Sequence, residues 1–204
     1  MTIQETPSPP SLPEEVEEVP GREITLTVNG RPRRVRIEDR QLLVEVVRGQ
    51  LGLIGTKVGC YNGDCGACTL QVDGEIRKSC LVLAASADGA ELTTIEGVGG
   101  PDGALDEIQQ AFWDNDAFQC GFCLPGHLFA TRDLLDADDD PSEQDVRDAL
   151  VGNLCRCTGY VNLVKAALDA AQRRRTTGTA DRRSIEEEGP RPADACTLHR
   201  GPRP

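Results

Sequence analysis

Residues 59–69 read Gly59-Cys60-Tyr61-Asn62-Gly63-Asp64-Cys65-Gly66-Ala67-Cys68-Thr69, three thiols interleaved with three glycines. The stretch has neither a helical nor a strand period, so it is a loop, and the segments on either side decide the fold. Upstream, residues 23–37 carry two alternating runs, Ile24, Leu26, Val28 and then Val35, Ile37, around Asn29-Gly30. That dipeptide between alternating runs predicts a hairpin. Leu42, Leu43, Val46, Val47 and Leu51 recur at helical spacing and predict an amphipathic helix over residues 40–51, ended by Gly52. Downstream come short strand-like pieces: Thr69–Val72, a turn at Asp73-Gly74, Ile76–Ser79 and Leu92–Ile95. Strands, helix, loop and strands again make an α+β layout, a helix packed on a mixed sheet.

The character changes after Gly97. Gly97-Val98-Gly99-Gly100-Pro101 has the composition of a linker. Beyond it Leu105, Ile108 and Phe112 share one helical face, and Leu128, Leu134 and Leu135 belong to a second helix. Ser142 followed by Asp145 reads as a capping box opening a third helix with Val146, Ala149 and Leu150. Val164, Ala167, Leu168 and Ala171 form a fourth, so the second half is expected to be a small four-helix bundle.

The two ends differ from this middle. Residues 1–22 are rich in Pro and Glu, residues 173–204 nearly lack large apolar side chains, and both are expected to be disordered tails. The expected organisation is a tail to residue 22, an α+β domain over 23–97, a helical domain over 98–172 and a second tail. The formal net charge is −12, almost all of it in the middle of the chain. An acidic body without a basic stripe argues against nucleic-acid binding, which rests on phosphate neutralisation. The run Arg173–Arg175 is read as a solvated helix end leading into a linker. No segment has the ~18 consecutive apolar residues of a membrane span, and the N-terminus has no apolar stretch of the signal-peptide kind. A cytoplasmic location is expected, and nine cysteines in a reducing compartment are better read as metal ligands than as disulfides.

Cys60, Cys65, Cys68 and Cys80 are spaced C-x4-C-x2-C-x11-C. The triplet has the spacing of plant-type [2Fe–2S] loops, which wrap one small anionic cluster and take a fourth thiolate from the next strand. Gly59, Gly63 and Gly66 can take positive φ and let backbone N–H groups approach the sulfurs. A four-cysteine zinc site is the bland reading, but zinc sites more often use paired C-x2-C knuckles. Cys120, Cys123, Cys155 and Cys157 form C-x2-C and C-x-C, and there spacing does not separate zinc from a cluster. Cys120–Cys123 sits just before the helix expected near Gly126, and Cys155–Cys157 between the third and fourth helices, where helix N-termini favour an anionic group. Cys196 stands alone in the tail and reads as a free thiol. His127 reads as a packing or capping residue, and His199 lies in the tail.

The strings around these cysteines carry more than their spacing. Gly59 to Thr69, Gln119-Cys-Gly-Phe-Cys-Leu-Pro-Gly126 and Gly152-Asn-Leu-Cys-Arg-Cys-Thr-Gly-Tyr160 together resemble the iron–sulfur subunit of the xanthine dehydrogenase family of molybdenum hydroxylases. The family includes carbon monoxide dehydrogenases, aldehyde oxidoreductases and N-heteroaromatic hydroxylases. The resemblance covers about residues 23–172. It implies a β-grasp, ferredoxin-like [2Fe–2S] domain followed by an all-α [2Fe–2S]-binding domain. Cys60, Cys65, Cys68 and Cys80 would hold the cluster nearer flavin. Cys120, Cys123, Cys155 and Cys157 would hold the one nearer the molybdenum cofactor. Gln119 matches a glutamine that lies against the pterin of the large subunit; its bland reading is a polar cap on a helix end. Leu124 departs from the family, where a small polar residue is common, and is no ligand.

The resemblance further implies that chemistry happens elsewhere, at molybdenum in a large partner subunit. Electrons would pass singly through this chain to FAD on a medium subunit or to another acceptor. The sequence offers no nucleophile or general base, so no turnover is expected from this chain alone. A stand-alone two-cluster electron carrier is the alternative from another class, and a zinc-stabilised interaction module a third.

Overall fold

The computed structural model describes residues 21–100 and 102–177. The expectations for residues 1–20 and 178–204, with Cys196 and His199, lie outside the described residues. The chain forms two compact units that divide after Val98.

In the first unit β1 (Gly21–Val28) and β2 (Arg31–Glu38) pair antiparallel, from Gly21 opposite Glu38 to Val28 opposite Arg31. Asn29 (φ 50) and Gly30 (φ 73) make the two-residue turn in the left-handed conformations this hairpin needs. The Asn29 side chain then binds Thr94 twice, accepting from its N–H at 2.9 Å and donating to its hydroxyl at 3.0 Å. β3 (Thr69–Val72) and β4 (Glu75–Lys78) form a second hairpin around Asp73-Gly74. β5 (Glu91–Thr93) joins the two hairpins, parallel to β1 and antiparallel to β3, in the order β2-β1-β5-β3-β4. The edge strand β2 exposes Arg31, Pro32, Arg33, Arg34 and Arg36, which blunt it against pairing with another chain.

The helix expected over residues 40–51 is shorter and wider. α1 spans Leu43–Glu45 and runs into a π turn, Val46–Gln50, closed by the Leu51 N–H on the Val46 carbonyl and ended by Gly52 (φ 71). With that extra residue per turn Leu43, Val44, Val46 and Val47 are all fully buried, together with Ile24, Leu26 and Ile37 of the sheet. Burying each such side chain contributes about 1.5–3 kcal/mol.

The second unit contains α2 (Glu107–Asp114), α3 (Leu124–Ala137), α4 (Glu143–Leu150) and α5 (Tyr160–Thr177). The Ser142–Asp145 capping box opens α4 as expected, and an Asp106–Gln109 box opens α2. Leu105 lies ahead of α2 and is exposed, so the buried face of α2 is Ile108, Ala111 and Phe112. α3 starts at Leu124, with Pro125 in its first turn, ahead of the expected Gly126.

Two expectations are corrected at the chain's ends. β1 already begins at Gly21, and α5 continues through Arg173–Arg175 to Thr177. Arg174 is buried where a solvated helix end was expected, Arg173 is half-buried and Arg175 is exposed, and acidic side chains pair with all three. Arg173 pairs with Asp114 and Asp169, both at 2.8 Å. Arg174, its side chain 8% exposed, bridges Glu107 of α2 at 2.9 Å and Asp136 of α3 at 2.7 Å. Arg175 pairs with Asp140.

Candidate metal centres

The loop from Cys60 to Cys68 is shaped by backbone that few residues adopt. Tyr61 (φ 59), Gly63 (φ 87) and Gly66 (φ 70) are left-handed, whereas Gly59 keeps an ordinary φ, contrary to the expectation for all three glycines. These reversals turn N–H groups inward, and Cys60 Sγ accepts from Cys65 N–H at 3.4 Å and Asn62 N–H at 3.5 Å. The same two N–H groups, Cys65 first, hold the Cys60 thiol down to about 7. Cys80 sits in a short 3-10 turn, Ser79–Leu81, and not in a strand as expected. The reason is Ser79, whose N–H and hydroxyl both donate to the Cys68 carbonyl (3.3 and 2.7 Å) and end the ladder at Lys78. Cys80 packs with Cys68 and Val44, and burial, then the Cys68 thiol, push its own thiol up to about 11.

The second group is built on helix starts. Cys123 immediately precedes α3 and is buried; burial, then Cys155, push its thiol up to about 12. Cys120 is exposed, and its thiol is held down by the Phe122 N–H and then by Cys157. Gly159 N–H donates to Cys155 Sγ at 3.5 Å, and the Cys155 N–H donates to the Tyr160 hydroxyl at 2.8 Å. Thr158, at φ 60, makes the bend between them. Tyr160 is a site residue that spacing alone does not reveal, although it closes the third cysteine string.

Within each group the thiols shift one another: Cys65 helps to hold the Cys60 thiol down and Cys68 to push the Cys80 thiol up, as Cys157 does for Cys120 and Cys155 for Cys123. Four thiols in each group match the four-cysteine ligation of a [2Fe–2S] cluster. Each group has two buried thiols (Cys68 and Cys80, Cys123 and Cys155) and a less buried one toward the surface (Cys60, Cys120).

Residues 26–93 match the model of a 2Fe–2S iron–sulfur cluster binding domain, and residues 94–168 that of a second [2Fe–2S] binding domain. The nicotine 6-hydroxylase small subunit of Paenarthrobacter nicotinovorans is 47% identical over 148 residues, 72% of this chain and 88% of that one. The chain belongs to the iron–sulfur subunits of the xanthine dehydrogenase family. Caffeine dehydrogenase subunit gamma of a Pseudomonas strain is equally similar, 47% identical over 146 residues, covering 70% of this chain and 87% of its own. In structure, quinoline 2-oxidoreductase from Pseudomonas putida 86 superposes with a TM-score of 0.73 at 40% identity, over 76% of this chain and 97% of the matched one.

Gln119 and His127 both contact backbone of the second thiol group, His127 as the buried packing residue expected. Gln119 caps no helix end: it is exposed and donates its side-chain N–H to the Cys157 carbonyl at 3.2 Å, across the second thiol group. His127 is fully buried, with Nδ1 2.9 Å from the Cys123 carbonyl oxygen. Lys78, which no sequence pattern singles out, donates to the Gly63 carbonyl at 2.5 Å. Among the described residues no helix is long and apolar enough to cross a membrane.

Proposed function

We propose that this chain is the electron-transfer subunit of a heteromeric molybdenum hydroxylase. Its electrons come from the molybdenum cofactor of a large subunit and leave for FAD on a medium subunit or for another acceptor. The observation that carries the reading is two groups of four cysteines, one group in each of two [2Fe–2S]-binding domains. Cys60, Cys65, Cys68 and Cys80 hold the first cluster, Cys120, Cys123, Cys155 and Cys157 the second. Bound there, the clusters supply one-electron sites between a two-electron donor and a two-electron acceptor.

The protein's own part is to tune and shield. N–H groups of Asn62, Cys65 and Gly159 meet sulfur lone pairs and stabilise thiolate charge. Burial of Cys80 and Cys123 keeps water from one side of each site, while Cys60 and Cys120 lie toward the surface, where a partner can approach. Gln119, already bonded to the Cys157 carbonyl, is the residue we assign to the pterin of the large subunit. We read α2–α5 as a four-helix bundle and the first unit as a β-grasp domain.

Around the second group Phe122 (45%), Leu154 (55%) and Val161 (72%) leave apolar surface exposed, which favours a docked partner over a free carrier. Co-expression with a large subunit that carries the molybdenum cofactor tests the proposal. Substrate added to the complex should reduce both clusters within one turnover. Cys65→Ser should keep the second cluster and stop reduction of the final acceptor. A chain that purifies alone and shuttles electrons freely between enzymes contradicts it.

A further inference from the structure

His127 lies in the first turn of α3, fully buried, and has no place in the electron path described so far. The Cys123 carbonyl oxygen receives two bonds from it, one from the backbone N–H at 3.2 Å and one from Nδ1 at 2.9 Å. A carbonyl oxygen only accepts, so Nδ1 carries the proton.

Nε2 has no hydrogen-bond partner among the described residues, and neither has Thr131 Oγ1, one turn further along the same face of α3. An aliphatic side chain would fill this position without leaving a buried nitrogen unpaired. A polar ring held there at that cost is explained by what its other nitrogen does. That nitrogen acts on Cys123, one of the two buried thiols of the second group.

We propose that His127 is a positioning residue for the second cluster, its Nδ1–H fixing the Cys123 carbonyl and offsetting its negative end beside an anionic group. Two donors from one residue hold the peptide plane between Cys123 and Leu124 at the start of α3. They also draw negative charge away from the side of the site that must accept an electron. Without the Nδ1–H the reduced cluster is less stable and the potential falls. The inference rests on Cys120, Cys123, Cys155 and Cys157 being cluster ligands.

The test is an EPR-monitored redox titration of the intact complex with wild type, His127→Leu, His127→Asn and His127→Gln. Asparagine puts an amide N–H where Nδ1 stands; glutamine reaches instead toward the place of Nε2. The second cluster's midpoint should move to more negative potential in the Leu and Gln variants and return toward wild type in Asn. The first cluster's midpoint should stay fixed in all four, which a general loss of packing would not guarantee. Should the leucine variant lose its cluster, the Asn–Gln comparison decides the question alone. Equal second-cluster midpoints across the variants overturn the role of His127 and leave the cluster reading standing. A wild-type complex with no second [2Fe–2S] signal overturns that reading, and this proposal with it.

Discussion

Lys78 reaches back from the end of β4 to donate to the carbonyl oxygen of Gly63 at 2.5 Å. This one bond ties the strand before Cys80 to the loop that carries Cys60 and Cys65. It also places a cation beside the first thiol group in a chain whose net charge is −12. Removing the charge with Lys78→Met should make the first cluster's midpoint potential more negative and leave the second's unchanged. A redox titration followed by EPR checks this, and a shift in both clusters would show the effect to be general.

Gly63 is the other half of that contact, and it has no room for a side chain. Its φ is +87, and a Cβ would stand 2.5 Å from Leu81 Cδ1, one residue beyond Cys80. Gly63→Ala should cost more than ~1 kcal/mol through the backbone alone, with displacement of Leu81 added, and about half of the iron should be lost. Gly121 is equally left-handed, at φ +75, but a Cβ there meets nothing within 4 Å. Gly121→Ala should therefore keep most of the second cluster, and iron counts on the two variants compare strain with strain plus clash.

Much of this was legible in the sequence, for physical reasons that differ from element to element. Asn29-Gly30 and Ser142–Asp145 act through their own neighbours, so turn and cap could be read from a few residues. The π turn at Val46–Gln50 could not, because α and π windings share an apolar pattern until the core decides how many side chains face inward. Cys80 reads as a strand residue because nothing local announces that Ser79 turns onto Cys68, eleven residues earlier. The eight site cysteines were visible through spacing and their flanking strings. Lys78 and His127 act through backbone carbonyls, which any residue supplies, and so leave no pattern.

The buried arginine of α5 is the next to test. Arg174 joins α5 to Glu107 of α2 and Asp136 of α3, with its own side chain almost fully enclosed. Removing a partner from a buried ion pair costs about 3–5 kcal/mol, but Glu107 and Asp136 are 32% and 54% exposed and water can reach them. Arg174→Met should accordingly destabilise the second unit by about 1–3 kcal/mol, read as a lower denaturation midpoint of the helical CD signal. Arg147→Met, which breaks an exposed i,i+4 pair with Glu143, should change it by under ~0.5 kcal/mol.

The thiols give a pH dependence that can be measured before iron is inserted. Cys60, held down to about 7 against a usual 9.0, favours the folded chain above pH 9, and this is lost as pH falls through 7. Cys80 and Cys123, pushed up to about 11 and about 12, act in the opposite sense. Their contribution is intact below pH 9 and is lost as pH rises through their folded values. The urea midpoint of the iron-free chain should thus be lower at pH 10 than at pH 8. At pH 7 iodoacetamide should label Cys60 ahead of Cys80 and Cys123, as peptide mass spectrometry would show.

The central claim is that both thiol groups hold [2Fe–2S] clusters. Low-temperature EPR on the dithionite-reduced complex, with iron and zinc counted on the same sample, tests it most directly. Two distinct one-electron signals with two irons for each of the two domains are the predicted result. One signal with two irons per chain, and zinc in the remainder, would contradict it and end the electron path in the first unit.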